Sequence, residues 1–245
     1  MGDLFDRLVR STRTVFFETN YEDWKYASYG GTVLVVAVAG KPYGLTARHV
    51  AGDFAWDHLC VTSRRADGDQ IAAPKNIFYP SDLKKGAAET DLGDIAVIEF
   101  TEDVELGFFG DDFYPLETGT VSARAGDDLI VHGALKEKLI IADRMIKPTF
   151  ASLGFQDDGP HPHDPFLRTC SAYWANPEFT SIDGLSGAPV FNETQNGLTG
   201  LMIRGGLEGC NAKGLYLDFE DVLKVLQNVH RGVYHDDYVK AVRQS

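Results

Sequence analysis

Short apolar runs rich in β-branched residues recur along this chain, and glycines interrupt them. GTVLVVAVAG at 31–40 is followed at once by YGLTA at 43–47, and similar runs stand at 94–100, 127–133, 137–146, 188–191, 198–205 and 214–219. Runs of this length, rich in Val and Ile and bounded by turn residues, read as strands. No helical pattern alternates with them, so βαβ units are excluded and an all-β barrel or sandwich is expected. One clear helix closes the chain: Val222, Leu223, Val225, Leu226 and Val229 give FEDVLKVLQNVH (219–230) an apolar face. The spacing of Leu4, Phe5 and Leu8 predicts a second, short amphipathic helix at the start.

The glycine-rich, acidic stretch 107–126 reads as a linker between two halves of similar size, which places an N-terminal barrel over 20–115 and a C-terminal one over 120–218. Two polar segments read as loops: SRRADGDQ (63–70), and LGFQDDGPHPHDP (153–165), the best candidate for a mobile insertion. Loops of this kind, and the N-terminal helix, are candidate points of control by a regulatory protein partner.

The net charge of −13 repels phosphate backbones, which excludes nucleic acid as a natural partner. No run approaches the roughly 20 apolar residues of a membrane span. Acids and arginines interrupt the first residues where a secretory leader needs an apolar stretch. Cys60, Cys170 and Cys210 are odd in number and scattered, which fits reduced thiols in a cytoplasm. No cofactor is expected.

The segment DGLSGAPVF (183–191) sets a hydroxyl between two glycines. Gly184 and Gly187 permit backbone angles and close approaches that side chains block. Pro189 belongs at a turn or at the start of an edge. Ser186 therefore sits at the apex of a tight turn just before a strand, where it would serve as a nucleophile if a base stood beside it. Of the seven histidines, His49 stands out, because it follows a strand in a Thr-Ala-x-His turn with small neighbours. His58 and His132 read as core or structural residues. His161, His163 and Asp164 offer metal-ligating groups, but prolines splay that loop and no second set has zinc-type spacing. A histidine base needs a carboxylate behind it. Asp94 stands at the mouth of an apolar strand, where an unpaired acid is costly, and Asp91 is the competing choice.

In this order TARHV, GDIAVIEF and GLSGAPVF resemble the His, Asp and Ser segments of the trypsin-like (chymotrypsin-fold) serine peptidases, in particular the bacterial group without disulfides. The resemblance extends over about residues 28–230 and implies two six-stranded β-barrels with a C-terminal helix. It implies a serine endopeptidase acting on protein or peptide substrates, with His49, Asp94 and Ser186 as the catalytic group and the amides of Gly184 and Ser186 as the oxyanion hole. GLTGLMIRGG (197–206) is similar to the cleft-lining strand, which brings Ile203, Gly205 and Gly206 beside the substrate, with Thr180 near the base of the primary pocket. An uncharged Thr180 and two wall glycines imply a small or medium apolar side chain at the cleavage position. Leu185 stands where activatable trypsins carry an aspartate, so their zymogen switch is absent. A second expectation is a pseudo-peptidase that uses the same fold as a binding or scaffolding module.

Overall fold

The computed structural model describes residues 2–28, 31–51, 58–63, 70–80, 91–101, 104, 106–110, 113–142, 145–173, 181–233 and 238–242. Helix α1 (Asp3–Ser11) buries Phe5 and Leu8 and passes without a loop into β1 (Thr12–Glu18). There follow β2 (Tyr26–Ala27), β3 (Thr32–Val38), β4 (Lys41–Ala47), β5 (Leu59–Thr62), β6 (Ile71–Ala72), β7 (Pro74–Pro80) and β8 (Ile95–Phe100). The sheet order is β5–β1–β3–β4–β8–β7, antiparallel throughout. Among the described residues no pairing joins β5 to β7, so this half is an open, curled sheet. It begins at residue 12, ahead of the boundary at 20, because β1 carries straight on from α1.

The all-apolar run of β3 has a structural cause. Val33 and Val35 enter the interior of the first half, while Leu34 and Val36 face the seam between halves. A strand buried on both faces needs apolar residues at every position rather than at alternate ones. Its hairpin to β4 turns on Ala39 and Gly40, both at positive φ (47° and 81°), as a two-residue turn that follows strand twist requires.

The short helices α2 (Leu106–Phe109) and α3 (Leu116–Gly119) cross to the second half. This crossing is tied down more firmly than a linker: Tyr114 is fully buried, its amide donates to Val35 O and its hydroxyl to Gly119 O. Burial pushes its phenol up to about 12.

The second half contains β9 (Asp128–Ala142), β10 (Met145–Pro160), β11 (Leu167–Tyr173), β12 (Pro189–Asn192), β13 (Gly197–Glu208) and β14 (Asn211–Asp218). These pair in the cycle β9–β10–β11–β14–β13–β12–β9, a closed six-stranded antiparallel barrel. Leu129, Val131, Leu153, Phe155, Val190, Met202 and Tyr216 fill it. Residues 153–160, expected as part of a loop, are strand. Leu153, Phe155, Asp157 and Gly159 point inward and the residues between them outward. The inward acid disguised that alternation. Asp157 is tolerated because Arg168 holds both its oxygens (2.8 and 2.9 Å) and the Gly159 amide donates to it at 2.6 Å.

Asp218 caps α4 (Phe219–His230) by accepting from the Glu220 amide at 3.0 Å. Val222, Val225, Leu226 and Val229 of α4 join Phe5 and Leu8 of α1 in one cluster with Leu34, Leu45, Val97, Leu198, Leu201 and Ile203. That cluster fills the seam and fixes the two halves against each other. The chain ends by returning to the first half, where β15 (Tyr238–Val242) pairs with β7. No helix among the described residues is long and apolar enough to cross a membrane.

Candidate active site

Three strand ends meet at the seam. His49 lies in the 3-10 turn Arg48–Ala51 that leaves β4, and Asp94 ends the 3-10 turn Asp91–Asp94 that enters β8. Strands β4 and β8 are antiparallel neighbours with Ala47 opposite Ile95, so the register alone sets the two turns side by side. Asp94 Oδ1 accepts from the His49 amide at 3.0 Å and Oδ2 meets Nδ1 at 2.7 Å. The carboxylate therefore holds both the backbone and the ring of His49. Asp94 is 13% exposed and His49 46%, so the acid is screened behind a ring that faces the cleft. The side chain of Asp91, the competing choice, lies outside the described residues.

Ser186 comes from the other half, in the turn before β12. Its Oγ lies 2.8 Å from His49 Nε2 and 3.2 Å from Ile203 O. An ionised carboxylate only accepts, so Nδ1 of a neutral ring carries the proton and Nε2 offers its lone pair to the serine hydroxyl. This is the arrangement a general base needs before it can take that proton.

The loop holding Ser186 has its carbonyls occupied one after another. Asp183 O accepts from the Lys136 amide at 2.8 Å, Gly184 O from Thr32 Oγ1 at 3.0 Å, Leu185 O from the Ala188 amide at 2.8 Å, and Ser186 O from the Thr32 amide at 2.8 Å. A trans peptide directs its C=O and N–H to opposite sides. Holding Asp183 O and Leu185 O thus turns the Gly184 and Ser186 amides the other way, and among the described residues neither amide has an acceptor. Gly184 has φ +103°, and a Cβ there would stand 2.6 Å from Ala134 O. Gly187 has φ +81°, with its missing Cβ 2.1 Å from Thr32 O. Neither position admits a side chain without moving backbone.

Beside Ser186 opens a cleft of about 230 Å³, lined by His49, Val50, Lys136, Ile182, Gly184 and Gly205. Of the residues expected to meet substrate, Gly205 lines this cleft. Gly206 lies beyond it, against a neighbouring cavity of about 300 Å³ with Arg204 and Lys213. The Ile203 side chain is wholly buried in the seam, and its carbonyl is what faces the serine. Thr180 lies outside the described residues. Of the remaining histidines, His132 is buried in the second half, stacked on Phe150 and bonded through Nδ1 to Ser152 Oγ at 2.8 Å, whereas His58 is exposed. Sequence reasoning missed Thr32 and Lys136. In the sequence one is a residue of a β-branched strand and the other a surface lysine, and only the pairing across the seam and with β9 gives their amides a role.

No protein-family model matches the sequence, and no curated protein does. Solved structures match in shape. A serine protease of mouse brain, neuropsin, superposes with a TM-score of 0.60 at 13% identity, over 91% of this chain and 96% of that one. A scabies mite protein described as an inactivated protease paralogue gives 0.60 at 15% identity, over 92% and 96%. The MamO protease domain of Magnetospirillum magneticum gives 0.56 at 12% identity, over 91% and 100%. With its closed and open β-halves, its C-terminal helix and its short N-terminal helix, the chain has the chymotrypsin fold of the trypsin-like serine proteases.

Proposed function

We propose that the chain is a serine endopeptidase. Ser186 Oγ attacks the scissile carbonyl as His49 Nε2 removes its proton. The carbonyl π pair moves to oxygen, and the resulting anion is met by the amides of Gly184 and Ser186. His49 then gives the proton to the amine as the C–N bond breaks, leaving an acyl ester on Ser186. Water, deprotonated by the same ring, attacks that ester, and the ring returns the proton to Ser186 Oγ as the acyl C–O bond breaks and the acid leaves. Asp94 holds the ring in the tautomer that both half-reactions use and stabilises its positive charge. Removal of a single oxyanion donor elsewhere costs about 3–4 kcal/mol of barrier, so the two amides are a large part of the chemistry.

The observation that carries this reading is the unbroken run of short contacts from Asp94 through His49 to Ser186, opening on a cleft that the two acceptor-free amides share. The uncharged Thr180 and the Gly205 wall favour a small or medium apolar side chain at the cleavage position. Inside a cell such an enzyme would work with narrow or regulated specificity.

The fold also occurs in the scabies mite protein described as inactivated, which supports a second reading: a pseudo-peptidase that binds without cleaving. A serine-directed fluorophosphonate separates the two. The enzyme reading expects covalent labelling of the wild type and none of Ser186→Ala, and equal labelling of both chains, or of neither, overturns it.

A further inference from the structure

We infer that Thr32, a residue of the first half, is the positioning residue that sets the oxyanion loop of the second. The inference rests on the peptidase reading and adds to it a residue that touches neither base nor nucleophile side chain.

Thr32 is wholly buried in β3, and each of its polar atoms is engaged. Its amide donates to Ser186 O at 2.8 Å. Its hydroxyl donates to Gly184 O and accepts from the Ala134 amide, both at 3.0 Å. Its carbonyl accepts from Thr46 Oγ1 at 2.7 Å. One side chain thus links the first half, the oxyanion loop and strand β9. The carbonyls it holds belong to the same two residues whose amides have no acceptor.

The peptide planes explain why this matters. Thr32 pins the Gly184–Leu185 plane through its hydroxyl and the Ser186–Gly187 plane through its amide. Between them lies the Leu185–Ser186 peptide, which carries one of the two cleft-facing N–H groups. That peptide is held directly by the Ala188 amide on Leu185 O, and the planes on both sides of it, bonded to Thr32, fix the axis about which it can turn. The Gly184 amide belongs to the preceding peptide, which Lys136 holds by its carbonyl. Gly184 can take either sign of φ, so its value of +103° depends on these bonds.

Two neighbours make room for the clamp. A Cβ on Gly133 would come within 2.6 Å of Thr32 Oγ1, and one on Gly187 within 2.1 Å of Thr32 O. Leu185, meanwhile, is 2% exposed and packs into the interior of the second barrel. An apolar contact fixes where the loop sits but sets no peptide orientation. Directional bonds must do that, and Thr32 supplies two of them.

Thr32→Val keeps the branched shape and the backbone donor and removes only the hydroxyl. The expected result is a roughly 10–100-fold slower reaction with a fluorophosphonate and a similar fall in kcat on p-nitrophenyl acetate, with KM within about twofold, because the loss falls on charge stabilisation. Thr32→Ser restores most of the rate, and Thr32→Cys, a weaker donor, gives an intermediate rate and replaces the valine chain if that fails to fold. Hydrogen exchange gives a second readout that needs no activity. With the hydroxyl gone, the Ala134 amide loses its acceptor and the Leu185 amide its fixed plane, so both exchange at least about tenfold faster. Wild-type rates, or wild-type exchange at both amides, in Thr32→Val overturn the inference and leave the peptidase reading standing. If the wild type itself fails to label, the peptidase reading falls, and the exchange rates alone decide whether Thr32 clamps the loop.

Discussion

The two halves bring different kinds of group to the cleft, and they are built accordingly. The first half is an open sheet that contributes two side chains, His49 and Asp94. Adjacent strand ends hold these together with two bonds of their own. The second half is a closed barrel that contributes a hydroxyl and a pair of backbone amides. Setting those amides takes donors from β9, from the loop itself and from β3 of the opposite half. A side chain can be aimed by one good partner. A peptide group can be aimed only by restraining the carbonyl on its far side, and such restraint needs a rigid frame. The closed barrel supplies it, stiffened by the buried Asp157–Arg168–Tyr216 group.

The sharpest break in that comparison removes the bond internal to the first half. Asp94→Asn should lower kcat by about ten-thousand-fold, because the amide favours the wrong ring tautomer. The fold should be unaffected, and a thermal melt alongside the kinetics checks both. The matching change in the second half is Arg168→Met, which leaves Asp157 buried without its cation. It should cost about 3–5 kcal/mol, a fall of about 10 °C in Tm by calorimetry. Removing Lys213, which pairs with Glu208 in full solvent, should leave Tm unchanged. An Arg168→Met chain as stable as the wild type would mean that the barrel needs no ionic stiffening.

Gly184→Ala strikes the loop itself. Its methyl would meet Ala134 O and carry a positive φ, so kcat should fall by about 10²–10³-fold with Asp94 and His49 untouched. Equal losses in KM and kcat would instead point to a cleft that no longer forms.

Acid offers a smaller test of the second half. Burial disfavours the Asp127 anion, but hydrogen bonds from Asn192, the Arg124 amide and Gln195 outweigh this and hold the carboxyl below its ordinary value. A depressed folded value adds stability that is complete above the unfolded value of about 4 and is lost as pH falls through the folded one. Urea midpoints taken between pH 6 and pH 3 should therefore fall for the wild type and fall less for Asp127→Asn.

The smallest effect compares the halves through their thiols. Cys210 is exposed, while Cys60 lies buried in the open sheet and Cys170 in the closed barrel. Burial, with the charges of Asp158 and Asp157 added, pushes the Cys170 thiol up to about 12. Iodoacetamide at pH 8 should modify Cys210 first, Cys60 next and Cys170 last, as read by mass spectrometry of timed digests. Cys170 reacting before Cys60 would mean that the closed barrel opens more readily than the sheet.

Much of this was legible in the chain itself. The β-branched runs of β3, β8 and β13, the 3.6-residue pattern of α4 and the glycine-flanked serine are local signals, written within a few residues. His49 and Asp94 could be picked out because each stands at a strand end where its residue type is out of place. Strands β1, β5, β7 and β11 gave no distinct run, and three further features were hidden for a common reason. Residues 153–160 read as a loop because an acid occupies an inward position, acceptable only with Arg168 on the next strand. Thr32 reads as one more strand residue, since its partners lie at Gly184, Ser186 and Ala134. β15 at 238–242 gave no run of its own and forms by pairing with the edge of β7.

What the sequence alone determined is therefore where many of the strands and the two longest helices form and which polar residues stand out at strand ends and turns, because local sterics, periodicity and turn residues act over a few positions. What the tertiary structure decided is which strand ends meet, which acid can be buried, and which hydroxyl clamps the serine loop. Those outcomes depend on strand register and on partners on other elements, from 11 residues away for Asp157 to 152 for Thr32, for which no local pattern exists.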